Sequence, residues 1–146
     1  MIKEITFEQI LPIWRDYLWP ERTTDITATS AMSYMEGYDL VNMSYPPTFF
    51  AYYVNDVIAG VNSGHMCMNG RYRSRGLYVF DKFRGMGIGT KLLIATIDQA
   101  RLEGANLCWS YPRDSSWSAY AKAGFELSSE FVLDENGKNA YCVILL

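Results

Sequence analysis

Glycine stands at positions 85, 87 and 89 in the stretch KFRGMGIGTKLL, Lys82 to Leu93, and the residues that follow are those of a helix. A glycine in a regular element costs about 0.5–1 kcal/mol relative to alanine, so three at alternate positions mark a place where the backbone itself is needed. From Thr90 to Glu103 the apolar side chains of Leu92, Leu93, Ile97, Ala100 and Leu102 form a helical stripe, with Ile88 leading in. The glycines therefore precede a helix N-terminus, where the first N–H groups have no internal partner and the dipole is positive. A phosphate is the natural ligand of such a loop. The spacing is not that of a Walker loop, since Lys91 follows Thr90 and Arg84, not glycine, stands five before Gly89. The dinucleotide pattern GxGxxG also fails, because position 90 is threonine.

What the spacing does fit is Arg84-x-x-Gly87-x-Gly89. This resembles the acetyl-CoA pyrophosphate loop of the GNAT superfamily of N-acetyltransferases, whose pattern is Gln or Arg, x, x, Gly, x, Gly or Ala. The preceding LYVFDKFRG looks like that family's strand-to-loop entrance, and AYAKAGFEL downstream is similar to its tyrosine and Gly-Phe signature. Together these motifs cover Leu77 to Leu127, about a third of the chain.

The resemblance implies that backbone amides of Arg84, Gly85, Met86, Gly87, Ile88, Gly89 and Thr90 hold the cofactor pyrophosphate. It further implies that main-chain groups of the strand Leu77, Tyr78 and Val79 bond the pantetheine and the acetyl carbonyl, a backbone N–H being a preorganised oxyanion donor. Tyr120 stands where the family places its acid. A thiol of reference pKa about 8.5 leaves as a base, and a tyrosine near 10 keeps a proton to give at neutral pH.

The general base is less legible. An amine of pKa about 10.4 needs roughly 4–5 kcal/mol to lose its proton at pH 7. Many relatives place a glutamate three residues before the position of Leu77, and here that residue is Ser74. His65, the only histidine, is the candidate, with Glu36 and Asp114 behind it and a water chain to bulk as the alternative. Arg113 replaces an asparagine that often helps to hold pantetheine. Arg71, Arg73 and Arg75 alternate and would share one strand face. They are expected as a solvated stripe partly neutralised by the acidic excess; a face receiving an anionic acceptor is the other reading, and a bulge near Gly76 could re-aim it.

These residues need a frame. At 146 residues the chain is expected to be one N-acetyltransferase domain over positions 1–146. Phe7 to Trp19 has a helical stripe capped by Thr6, with Pro12 positioned to kink or restart it. A second helix is expected from Ala28 to Met35, ended by Gly37, its Met32, Tyr34, Met35 and Tyr38 serving as core. TFFAYYV, VIAGVNSGHM and RYRSRGLYVF read as an antiparallel meander turning at Asn55-Asp56 and Asn69-Gly70. NLCWSY is a buried strand, and Ser116 to Ala123 a short helix capped by Asp114 or Ser115 and stopped by Gly124. FELSSEFVL and NAYCVILL form a hairpin around Asn136-Gly137. This is an α/β (α+β) layout. It looks like the GNAT fold, a mostly antiparallel twisted sheet flanked by helices that splays at the cofactor site.

Composition narrows the partners. Net charge is −3 and the isoelectric point about 5.1, which favours an amine or basic peptide over a nucleic acid. The three cysteines have no metal spacing, so no metal is expected, and they suit a reducing cytoplasm. No apolar run approaches a membrane span and the start lacks a signal peptide's apolar stretch. The expectation is a cytoplasmic, acetyl-CoA-dependent N-acetyltransferase acting directly on a primary amine of a small molecule or peptide, with room for a homodimer. A protein N-terminal or lysine acetyltransferase is the first alternative. A non-catalytic acyl-CoA-binding module is the second.

Overall fold

The alternating runs between Thr48 and Phe80 form the centre of a seven-stranded sheet in the computed structural model, which describes residues 1–135 and 137–146. In chain order the strands are β1 (Ile2–Ile5), β2 (Thr48–Val54), β3 (Val57–Met66), β4 (Arg71–Val79), β5 (Leu107–Ser110), β6 (Glu126–Leu127), β7 (Val132–Asp134), β8 (Gly137–Asn139) and β9 (Cys142–Leu145). The main sheet runs β1-β2-β3-β4-β5-β9-β6, while β7 and β8 pair apart as a ribbon. Only β4 and β5 are parallel. A parallel pair needs a crossover, and the connection holds helix α2 (Ile88–Leu102). The layout is the mixed, mostly antiparallel α+β arrangement that the sequence predicts.

Helix α2 buries Leu92, Leu93, Ile97 and Ala100 against the sheet. The opposite face carries α1 (Phe7–Ile13), whose Ile10 packs with Trp14, Phe49 and Val61. The cap of α1 is reciprocal, as the expected Thr6 role requires: Gln9 N donates to Thr6 Oγ1 at 3.2 Å, and Thr6 N donates to Gln9 Oε1 at 2.9 Å. Pro12 has no N–H to give to the preceding turn. The chain widens after it into a π-helical turn, Trp14–Leu18, closed by Trp19 N donating to Trp14 O at 2.7 Å.

The frame departs from the expectations at several points. The edge strand β1 is not foreseen, because Ile2 to Ile5 does not alternate and takes its conformation from pairing with β2. No helix forms over 28–35. Met35 and Gly37 have φ of 72° and 63°, and the sheet takes the segment's backbone groups: His65 Nε2 accepts from Ser30 N at 3.1 Å, and Arg75 Nη1 donates to Thr27 O at 2.7 Å. Of its aromatics and methionines, Tyr34 packs against Trp109 and Tyr141, whereas Met35 and Tyr38 are exposed. The C-terminal hairpin is split into two ladders, β6 with β9 and β7 with β8, and Asn136 of the expected turn lies outside the described residues. Helix α3 (Trp117–Ala123) ends at Gly124 as predicted, with no side-chain cap at its start.

A further correction concerns His65. The ring is 1% exposed in β3, and its Nε2 lone pair is taken by Ser30. Burial, then the nearby Arg73 and Arg75, pull its pKa down to about 3. A residue so placed is a neutral acceptor that anchors the 20–47 segment.

Two predictions come from this frame. At Gly76 φ is +82°, and an added Cβ would lie 2.4 Å from Trp14 Cε2. Gly76→Ala should lower unfolding free energy by about 1–3 kcal/mol, the usual range for overpacking; an unchanged urea midpoint would contradict the packing described. His65 makes stability acid-sensitive. The unfolded chain binds a proton below about 6.5, the folded chain only near 3, so this stabilisation is complete above the first value and is lost as pH falls toward the second. Between pH 6.5 and 5 the loss is about 2 kcal/mol. His65→Gln, which retains an acceptor for Ser30, should flatten that dependence; parallel losses in the two proteins would disprove it.

Candidate active site

β4 and β5 are joined only at Arg71–Leu107, Tyr72–Cys108 and Arg73–Trp109. Beyond that point the strands part, and Ser110 Oγ donates to Ser74 O at 2.8 Å at the apex. Residues 74 to 79 therefore have β3 on one side and an unpaired edge on the other. This is the splay expected from the resemblance. A bulge aids it: Val61 faces Tyr78 and Ser63 faces Arg75, so Asn62 spans both Gly76 and Leu77. Trp14 Nε1 locks the kink by donating to Gly76 O at 2.9 Å.

A cleft of about 1420 Å³ opens from the split. At one end lies the glycine loop. Gly85 and Gly87 have φ of 80° and 76°, and a Cβ on either would meet no protein atom within 4 Å. The loop thus leaves open space that side chains would fill. Gly87 caps α2 with no side-chain hydrogen bond, and the first turn carries no acidic residue. The leading amides of this 15-residue helix have no partner within the helix and receive none from a capping side chain. Arg84 pairs with Asp81 at 2.9 Å and donates through Nε to Val79 O at 2.9 Å, which ties the loop to the end of β4. Thr90 Oγ1 donates to Ala119 O at 3.2 Å, joining α2 to α3. Leu77, Tyr78, Val79, Arg84, Gly85, Gly87, Ile88, Gly89 and Thr90 all line the cleft; Met86 is exposed beside it.

Tyr120 reaches the cleft from α3 with 4% of its surface exposed. Its ring packs edge-on to Phe125 at 5.4 Å. Burial, then the Cys142 thiol, raises its pKa above the usual tyrosine range, against a smaller opposing effect of Ser110 and Arg73. A protonated phenol therefore stands at the cleft surface at neutral pH. Tyr120 and the loop, far apart in sequence, are brought into one cavity; His65 does not line it.

Ser74, at the position where relatives carry a glutamate, points toward α2. Asn62 Nδ2 donates to Ser74 Oγ and to Thr96 Oγ1, each at 2.9 Å. Of the weaker base candidates, neither Glu36 nor Asp114 lines the cleft; its carboxylates among the described residues are those of Glu21 and Glu135. Arg113 lines the opening and donates to Leu18 O at 3.2 Å.

Two of the three arginines of the stripe are not solvated, while Arg71 is half-buried and does not line the cleft. Arg73 and Arg75 are 9% and 4% exposed, line the cleft, and lie against indoles. The guanidinium carbon of Arg73 is 4.4 Å from the Trp109 ring centroid, and that of Arg75 is 4.9 Å from Trp14 and 5.2 Å from Trp19. The acidic surplus of the composition does not reach them. Four tryptophans in the chain, three of which turn out to cover these arginines, were the available hint.

The sequence model of the acetyltransferase (GNAT) family matches residues 11–125. No curated protein sequence matches the chain. Among solved structures, a GNAT-family acetyltransferase from Staphylococcus aureus superposes with a TM-score of 0.70 at 15% identity, over 100% of this chain and 98% of the other. A ribosomal-protein-alanine N-acetyltransferase from Brucella melitensis gives 0.68 at 17% identity, over 100% and 99%. A Bacillus subtilis acetyltransferase in complex with CoA gives 0.58 at 18% identity, over 68% and 77%. At such identities the superpositions establish the fold. With the family match across most of the chain and the split, glycine-lined cleft in place, the protein belongs to the acetyltransferase (GNAT) family, whose members carry out acyl-CoA-dependent acyl transfer.

Proposed function

We propose that this chain is a single-domain, cytoplasmic N-acetyltransferase that moves the acetyl group of acetyl-CoA directly to a primary amine of a small molecule or peptide. The observation that carries the reading is continuity: one cleft runs from the open amides of the glycine loop, past the unpaired edge of β4, to Tyr120. Acetyl-CoA, when bound, supplies the acetyl group as an activated thioester. The loop from Arg84 to Thr90 binds the pyrophosphate, and the free edge at Leu77 to Val79 orients the pantetheine. Tyr120 holds at Oη the proton that the departing thiol takes up.

Direct transfer is favoured by the state of the cysteines. Cys67, Cys108 and Cys142 are all buried, and burial is the first cause that raises each thiol, Cys67 to about 11 and Cys142 to about 12. None is poised as the thiolate a covalent relay requires. The absence of the histidine from the cleft and the exposure of Glu21 and Glu135 support a water chain to bulk as the path by which the amine loses its proton.

Two substitutions test the assignment. Gly87→Val places a branched side chain at positive φ in the open cradle, and should weaken CoA binding by more than about tenfold, or about 1.4 kcal/mol. Gly89→Ala is the control, because its Cβ would meet Ala119 Cβ at an ordinary 3.5 Å. Calorimetric titration with CoA reads both, and unaltered affinity in Gly87→Val would remove the phosphate role. Tyr120→Phe keeps the ring and deletes the donor. Thiol release with a panel of amines should fall by about 10²–10⁴-fold with CoA affinity retained; undiminished turnover would return Tyr120 to a packing role. Binding of CoA with no thiol release for any amine would instead mark a binding module.

A further inference from the structure

The lining of the cleft carries more cations than carboxylates. Arg22, Arg73, Arg75, Arg84, Arg113 and Lys122 line the cavity against Glu21 and Glu135, in a chain whose net charge is −3. Arg84 has Asp81; among the described residues no ion pair reaches Arg22, Arg73, Arg75 or Arg113. Arg22 and Arg113 spend donors on loop oxygens, Asp25 O at 3.0 Å and Leu18 O at 3.2 Å. Arg75 gives Nη1 to Thr27 O at 2.7 Å. Arg73 is the exception: its Nε and Nη1 are buried with no hydrogen-bond partner among the described residues. Charged side chains this buried are ordinarily paired, and a guanidinium stacked on an indole presents its N–H edge to whatever shares the cavity.

We infer that Arg73, supported by Arg75, forms a carboxylate-binding subsite for the acetyl acceptor, so that the preferred acceptor is a compact amine bearing a carboxylate, of the amino-acid class. The inference rests on the acetyltransferase reading for the word acceptor. The planar five-donor fork of arginine matches a carboxylate through two parallel bonds, from Nε with Nη2 or from Nη1 with Nη2, and each of those edges of Arg73 carries one of its two unpartnered buried donors. Trp109 and the pair Trp14 and Trp19 fix the two guanidinium planes, so little side-chain freedom remains to be lost on binding. The place of Arg73 bears on the size of the acceptor. Arg73 pairs with Trp109 at the last rung of the β4–β5 ladder, next to Ser110 at the apex, and Arg73, Ser110 and Tyr120 line one cleft, so a carboxylate held by Arg73 keeps its amine within the cavity that holds Tyr120. Arg75, two residues on along the same strand, is 4% exposed and lines the same cleft; burial first, and then the like charges of Arg73 and Arg22, pull its guanidinium down to about 9.

The test is a binding measurement that does not depend on turnover. Protein saturated with CoA is titrated with N-acetyl-L-amino acids carrying small, acidic and aromatic side chains, each beside its carboxamide, and with N-acetylaminoethyl phosphate. At least one acid should bind about tenfold or more tighter than its amide, the value of one shielded charge-assisted pair. That gap should shrink to less than about threefold in Arg73→Gln, and persist in part in Arg73→Lys, which keeps the charge but loses the fork. Near-ultraviolet circular dichroism establishes that each variant is folded, and the acid-to-amide comparison in the unaltered protein needs no variant. Equal affinity of every acid and its amide overturns the proposal. So does a gap that survives in folded Arg73→Gln, or a phosphate that binds tighter than any carboxylate. Failure of the acetyltransferase reading appears separately, as absence of CoA binding in the saturation step; the acid-to-amide ratio is then read on the free protein and still decides the subsite.

Discussion

Three residue pairs hold β4 to β5, and the place where that ladder stops determines the rest of the site. Had pairing continued past Arg73 and Trp109, the backbone of Leu77 to Val79 would be spent within the sheet. The stop is enforced from both sides. Ser110 reaches across to Ser74 O at the apex, and the bulge at Gly76, pinned by the Trp14 indole, bends β4 away. Sheet edges are commonly blunted because an unpaired edge recruits other chains. Here the edge lies inside a cleft, where only a ligand can reach it.

The two faces of β4 do different work. Toward α2, Asn62 ties Ser74 to Thr96, and Tyr72 donates to Glu103 Oε2 at 3.2 Å, so polar groups fix the register between helix and sheet. Away from α2, Arg73 and Arg75 leave the same strand as charges bedded on aromatic rings. One strand thus carries a satisfied polar layer and an incompletely satisfied cationic one, and the incomplete layer is the one that faces the cavity.

The parts of the molecule that could be read in the sequence are those whose causes are local. The glycine loop, α2 and the meander follow from glycine spacing, an apolar stripe and turn dipeptides, and each signal lies within the element it creates. The loop and Tyr120 came together because a motif joins them. What could not be read depends on distant partners. β1 is a strand because β2 is beside it. The 20–47 segment is not helical because His65 and Arg75 claim its backbone groups. The arginines looked like surface residues because alternation says which side chains share a face but not whether that face meets water; Trp14, Trp19 and Trp109 decide it.

The π-helical turn after Pro12 has a bearing on how this chain tolerates insertion and deletion. In a regular α-helix, residues five apart diverge by about 140° around the axis. Trp14 and Trp19 are five apart, yet their rings lie 5.3 Å from each other and both contact the guanidinium of Arg75. The wide turn accommodates one residue more than an α-turn does. Rewinding this turn as an ordinary α-helix, with no residue inserted or removed, would carry one indole off the cation, whereas removing a single residue between them would leave the two four apart, about 40° around the axis, on one face without the wide turn. At this point the winding of the backbone, as much as the identity of its residues, specifies the wall of the cleft.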